Sequence, residues 1–393
     1  MGEEGRLAVG VLTQGVRLRA VAPDYACRVA VPFMDLARAH VSLSTEILSD
    51  FAELIDKGAF VNGPAVTRFE EAFAADAGVA RCVGIASGLD ALRIALIAAG
   101  LEPGEEVIVP AMTFVATLEA VTQAGGVPVV ADIHEDDLTL DPDAAAAATS
   151  GRTRFALPVH LYGQLADMTR LASVGLPLIE DACQAPGAVR DGRQAGAEGL
   201  AAAFSFYPAK NLGAMGDAGA LVTDDGELAD RALALREHGQ RRKYEHEREG
   251  FTARLDTVQA VVLLRKLPLL ERWNDERRSI AARYLEALAD VGDLRLPPVP
   301  AGSDPVWHLF VIRTHDPELL AAHLAEQGVQ SGRHYPRPVH LTGAYAYLGL
   351  SEGSFPVAEA LARECLSLPI FPGMRDDEVD RVVSSVTTFF DGA

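Results

Sequence analysis

The chain lacks the features that mark several classes of protein. It has four cysteines in 393 residues, Cys27, Cys82, Cys183 and Cys365, and no C-x-x-C pair. That spacing argues against a disulfide framework or a zinc site and reads as reduced thiols in a cytoplasmic protein. No metal site is expected. No apolar run approaches the ~18 to 20 residues that span a bilayer, so no membrane role is expected. Positive charge is scarce: 35 Lys and Arg against 55 Asp and Glu give a net charge of −20. Nucleic acid wants a basic face and is not an expected partner. A small anion held in a local pocket is compatible with this balance. Repeats at solenoid periods are absent. Residues 1–28 show scattered charges and no secretory pattern, and are assigned no role.

What is present is an ordinary globular composition, 49% hydrophobic and 23% charged. Strand-like runs alternate with helical ones. "RCVGIAS" (81–87) precedes "GLDALRIALIAAG" (88–100), which stops at a glycine. "EEVIVP" (105–110), "VPVVAD" (127–132), "RFALPVH" (154–160), "LPLIED" (176–181), "AAAFSFY" (201–207) and "AGALVTD" (218–224) read as further strands. This alternation predicts an α/β fold built on a largely parallel sheet. The expected organisation is an extension over 1–28, a large α/β domain over 29–265 and a smaller C-terminal α+β domain over 266–393. A loop rich in proline and glycine follows at 296–305. The charge run "QRRKYEHEREG" (240–250) reads as a solvated loop or face.

In an open parallel sheet, ligands gather at the carboxyl ends of the strands. That rule selects Ser87–Leu89, Phe114, His160–Tyr162, Asp181–Gln184 and Ser205–Lys210. Lys210 stands among glycines and small residues in "SFYPAKNLGAMGDAGALVT" (205–223). A desolvated lysine has a lowered pKa and attacks carbonyls, although a surface lysine in a turn fits this stretch equally well. Asp181, directly after an apolar strand, suits a helix cap or the anion that keeps a pyridine nitrogen protonated. Gly88 and Leu89 open a helix whose free N–H groups can hold a phosphate, and Ser205 adds a hydroxyl. An amine, a ring-facing carboxylate and a phosphate cradle at successive strand ends describe a site for pyridoxal 5'-phosphate.

These stretches, with "GPAVTRFEEAFA" (63–74), "PVHLYGQLADM" (158–168), "ARLDTVQAVVLLRKL" (253–267) and "FPVAEALARECLSLPIFPGM" (355–374), occur in an order that resembles the nucleotide-sugar aminotransferases. These are the DegT-type branch of the fold-type I pyridoxal-phosphate enzymes. The resemblance implies that Lys210 condenses with the cofactor aldehyde and moves the proton. It implies Asp181 at the pyridine nitrogen, Gln184 near the ring hydroxyl and Phe114 against the ring. Ser205 and the amides of Gly88 and Leu89 hold the phosphate. A homodimer with shared active sites is implied, with L-glutamate as amino donor. Two departures stand out: Leu89 where threonine is common, and Thr252–Ala253 where the family has Asn-Ser, which puts the phosphate contact from the second subunit on Thr252.

"PVHLYGQ" and "GRHYPRPVHLTGAY" (332–345) resemble the branch that aminates C3 of a thymidine-diphosphate (TDP) 3-keto-6-deoxy sugar. In that reading His160, Tyr162, His334 and His340 face the substrate, and Arg333, Arg337 and Lys243 are candidates for its diphosphate. The alternatives are C4 amination of a 4-keto sugar, amination of a cyclitol, and a non-catalytic sensor that keeps fold and cofactor.

Overall fold

A computed structural model of the chain describes residues 30–392, so the extension assigned to 1–28 lies outside the described residues. Seven strands make the central sheet: β1 Arg81–Ile85, β2 Glu106–Pro110, β3 Val127–Ala131, β4 Thr153–Ala156, β5 Ile179–Asp181, β6 Ala201–Ser205 and β7 Gly219–Thr223. Their spatial order is β1-β7-β6-β5-β4-β2-β3. The two halves join where β4 and its continuation meet β5, at Ala156–Leu178 and Val159–Asp181. β7 runs antiparallel to both neighbours, and the other adjacent pairs are parallel. The carboxyl ends of β1, β2, β4, β5 and β6 therefore share one edge, the geometry expected of a fold-type I transferase.

Apolar runs make these strands core on both faces, as parallel sheets covered by helices require. β2, β5 and β7 are buried at every residue. Helix Gly88–Ala98 packs across β6 and against helices Ala116–Gln123 and Gly226–Arg236. Its Ile94, Ala95 and Leu96 are fully buried, each large side chain contributing roughly 1.5–3 kcal/mol. Ser87 caps this helix by accepting the Asp90 N–H at 3.0 Å.

Helix Leu270–Ala287 ties the two ends of the chain together. Its Leu270 belongs to the core under β6 and β7. Its Ile280, Ala281 and Tyr284 pack with Phe310, Leu366 and Val382 in a separate C-terminal core. A strand pair, Phe310–Arg313 with Cys365–Leu368, runs through that core. The charge run at 240–250 is not simply a loop. Gln240–Arg242 pairs with Glu245–His246 as a short exposed hairpin. No helix among the described residues is long and apolar enough to cross a membrane, and no acidic, histidine or cysteine group among them is arranged to hold a metal.

Candidate active site

Lys210 lies in a tight loop between β6 and β7. Its N–H donates to Tyr207 O at 2.8 Å, and Ala214 N–H closes the loop on Phe206 O at 2.8 Å. Gly213 permits the closure, because a Cβ there would stand 2.3 Å from Pro208 O. Burial pushes the Lys210 amine below the ordinary lysine range, opposed by the neighbouring Cys183 sulfur and Asp181 carboxylate. Burial also holds the Cys183 thiol well above its usual range.

Asp181 ends β5. Its Oδ2 accepts the Thr117 hydroxyl at 2.8 Å and its Oδ1 accepts the Cys183 N–H at 3.2 Å. Ser205 ends the adjacent β6. Its Oγ accepts the Tyr207 N–H at 3.3 Å, which leaves its own proton to donate. Gly88 touches both strand ends: a Cβ there would stand 2.6 Å from Cys183 Sγ and 2.8 Å from Ser205 Cβ. Gly88, at the N-terminus of helix Gly88–Ala98, is thus packed directly on Ser205 and on Cys183, the neighbour of Lys210. Gln184 is buried. Its Oε1 accepts the Tyr162 N–H at 2.7 Å and its Nε2 donates to Tyr335 Oη at 3.2 Å. Phe114 is half-exposed, its ring 5.8 Å from that of Tyr335.

The segment after Gly332 comes from the C-terminal part and closes the site. The Tyr162 hydroxyl donates to His334 O, and Val339 N–H donates to Ala111 O just past β2 at 3.0 Å. The His334 ring stacks on Phe33 and bonds Ser367 Oγ through Nδ1 at 2.8 Å. Burial, with help from the Lys210 charge, lowers His334 to about 4. His334 and Tyr162 therefore join the Lys210 cluster.

Two histidines expected at the substrate do not. His160 is fully buried. Its Nδ1 accepts the Ala166 N–H at 3.2 Å, so Nε2 carries the proton and donates to Glu180 Oε2 at 2.7 Å. With both nitrogens engaged it has nothing to offer a substrate. His340 is also buried, donating to Glu359 Oε1 at 3.1 Å and packed on the edge of Phe355. Arg333, a candidate for the diphosphate, is held by Glu318 and the carbonyls of Ala362 and Arg363. Arg337 is exposed and reaches its own Leu341 O. Lys243 lines an open groove of about 550 Å³ with Asn62, Arg236 and Glu237. Thr252 is exposed at the chain's surface, its hydroxyl 3.1 Å from His238 Nε2.

Sequence reasoning missed Tyr335, although "HYP" was in view. It also missed Thr117, in the first turn of helix Ala116–Gln123, whose hydroxyl meets that of Thr113 in the loop before it. The anchors of the lysine loop were missed as well. Asn211 Nδ2 donates to Asn274 Oδ1 at 2.9 Å and Val306 O at 2.8 Å, and the buried Lys266 donates to Gly213 O. These come from distant positions that carry no local signal.

Known proteins are similar to this chain across nearly its whole length. The dTDP-3-amino-3,4,6-trideoxy-alpha-D-glucose transaminase of Streptomyces venezuelae is 47% identical over 360 residues, 91% of this chain and 95% of that protein. The crystal structure of S. venezuelae DesV in complex with a ketimine intermediate superposes with a TM-score of 0.90 at 46% identity, covering 92% of this chain and 98% of the other. The structure of NtdA from Bacillus subtilis with bound cofactor PMP (pyridoxamine phosphate) gives a TM-score of 0.85 at 33% identity, over 92% of this chain and 85% of that one. The model of the DegT/DnrJ/EryC1/StrS aminotransferases matches residues 41–387. With the lysine, the carboxylate and a glycine-led helix N-terminus at one sheet edge, this chain belongs to the DegT/DnrJ/EryC1/StrS aminotransferase family.

Proposed function

We propose that the protein is a cytoplasmic pyridoxal-phosphate aminotransferase of deoxyaminosugar biosynthesis. It moves the amino group of L-glutamate to the C3 keto group of a TDP-linked 3-keto-6-deoxy sugar. The observation that carries this reading is the Lys210 amine, held below its ordinary pKa beside the Asp181 carboxylate, in a chain nearly half identical to a 3-amino sugar transaminase. The site residues fit the cofactor: an amine with a lowered pKa, a carboxylate with acceptor capacity left beyond its two donors, and a glycine at a helix N-terminus packed too closely on Ser205 for any Cβ.

When bound, pyridoxal phosphate supplies an aldehyde for amines and a protonated ring that accepts electrons from the adjoining carbon. The chain's residues do the rest. Ser205 Oγ and the N–H groups of Gly88 and Leu89 hold the phosphate. With the cofactor bound, Asp181 would keep a proton on the ring nitrogen, Gln184 would lie near the ring hydroxyl, and Phe114 would cover the ring. Lys210, its amine held below the ordinary lysine range by burial, takes a proton from C2 of L-glutamate. In the second half-reaction it delivers one at C3 of the sugar. Tyr162 and Tyr335 flank Gln184, and His334, neutral near pH 7, would offer a hydrogen-bonding ring to the sugar.

A second copy of the chain completes the site in this reading. Phe60, Val61, Tyr207 and Met215 are exposed. Phe60 and Val61 pair with the start of helix Thr257–Lys266, and Met215 N–H bonds Gln259 in that helix. These apolar side chains beside the lysine loop suit a dimer interface, across which Thr252 reaches the other subunit's phosphate. Light scattering is expected to give twice the chain mass.

The deciding assay supplies cofactor and L-glutamate with the TDP-linked 3-keto sugar or, separately, its 4-keto isomer, and locates the new amine by mass spectrometry and NMR. Amine at C3 from the 3-keto substrate alone is expected. Product from the 4-keto isomer alone would overturn the substrate assignment and leave the cofactor site standing. A Lys210→Ala protein that kept turnover would sink the whole reading.

A further inference from the structure

The Asp181 carboxylate is backed by two buried hydroxyls in series. Thr117 Oγ1 lies 2.8 Å from Asp181 Oδ2 and 2.7 Å from Thr113 Oγ1. Both threonines are buried. A threonine inside a helix ordinarily satisfies its hydroxyl on a carbonyl one turn back. Thr122 in the same helix does so, on Leu118 O and Glu119 O. Thr117 instead reaches across to the end of β5.

The direction of this chain follows from proton counting. An ionised carboxylate can only accept, and a hydroxyl has one proton to give. Thr117 gives its proton to Asp181, so it can only accept from Thr113. Thr113 therefore donates to Thr117, and Thr117 donates to Asp181. Each bond polarises the next, and hydrogen bonds to the charged form keep a carboxylate ionised. The Cys183 N–H holds the other oxygen at 3.2 Å, which fixes the plane of the group.

We infer that Thr117, backed by Thr113, is a positioning residue that orients Asp181 and keeps it anionic toward the ring nitrogen of the cofactor. This rests on the role proposed above for Asp181. Removing the Thr117 proton leaves Asp181 with one donor and leaves the Thr113 hydroxyl without an acceptor. The carboxylate becomes more basic and competes with the ring nitrogen for the proton they share.

The test uses Thr117→Val, Thr117→Ser, Thr113→Val and Asp181→Asn, each loaded with cofactor labelled with ¹⁵N in the ring. The ¹⁵N chemical shift reports protonation of that nitrogen, and steady-state kinetics are measured beside it. Thr117→Val is expected to move the shift part of the way toward the unprotonated value. Its kcat should fall about 10-fold, the scale of one hydrogen bond to a charged group, with KM for L-glutamate unchanged. Thr117→Ser should restore both, and Thr113→Val should move both in the same direction by less. A Thr117→Val protein with wild-type shift and kcat, while Asp181→Asn loses both, would overturn this inference alone. If Thr117→Val does not fold, an unchanged Thr113→Val protein overturns it equally. An Asp181→Asn protein that keeps the ring protonated and stays active overturns the role of Asp181 itself.

Discussion

Glu180 and Asp181 are consecutive residues of β5 with the same functional group, both buried, and the fold uses them in opposite ways. Strand alternation sends them to opposite faces of the sheet. Glu180 collects four donors: His160 Nε2 at 2.7 Å and the N–H groups of Gly196, Glu198 and Gly199 at 2.7, 3.0 and 2.6 Å. Burial alone would raise its pKa, but the hydrogen bonds and the His160 contact outweigh it and hold the carboxyl below the usual range. That carboxylate is saturated and closed to any ligand. Asp181 has two donors, Thr117 and Cys183, and faces the lysine. A saturated carboxylate stabilises a fold; one with acceptor capacity left can bind and hold a proton. The difference lies in the number of donors, not in burial.

Exchanging each carboxylate for its amide breaks the comparison most directly. Asp181→Asn is expected to lower kcat by about 10³-fold or more, because an uncharged amide cannot hold a proton on the ring. The apoprotein should melt within a few degrees of wild type. Glu180→Gln should do the reverse. Its new NH₂ must face N–H donors that wanted an acceptor, and breaking a buried charged pair costs about 3–5 kcal/mol. Melting should fall by many degrees, while kcat measured well below the transition stays near wild type. Equal effects on kcat from the two variants would show that the faces are not functionally distinct.

The same distinction explains what could be read from the sequence. The placement of Asp181 and Ser205 was legible because each ends a strand of the sheet, and that of Gly88 because it opens the helix that follows β1. The order of strands and helices was legible from apolar runs and glycine stops. His160 was misread because a strand end alone does not say which face a side chain takes: Val159 bridges Asp181, so the next residue turns to the opposite face, that of Glu180. The closed face claimed it through Glu180. His340 was misread in a similar way: "PVH" shows a histidine near the site but not the Glu359 carboxylate that captures it from another helix. Tyr335, Thr117 and Lys266 act through partners 151, 64 and 53 residues away, and no local window contains both ends of such a bond.

The smallest expected effect concerns His334, the histidine that does lie on the open side. Burial holds it near pKa 4 in the folded chain, against about 6.5 in the unfolded one. Between those values the unfolded chain binds the extra proton, so stability is complete above about pH 6.5 and is lost as pH falls toward 4. From about pH 7.5 to pH 5 the loss from this residue comes to roughly 2 kcal/mol. Urea unfolding at the two pH values measures it, with His334→Gln as the reference that cannot titrate. The wild type should lose about 2 kcal/mol more than the variant over that interval. An identical loss in both would mean that the His334 ring meets solvent freely. The Phe33–His334 stack would then not shield the ring from water.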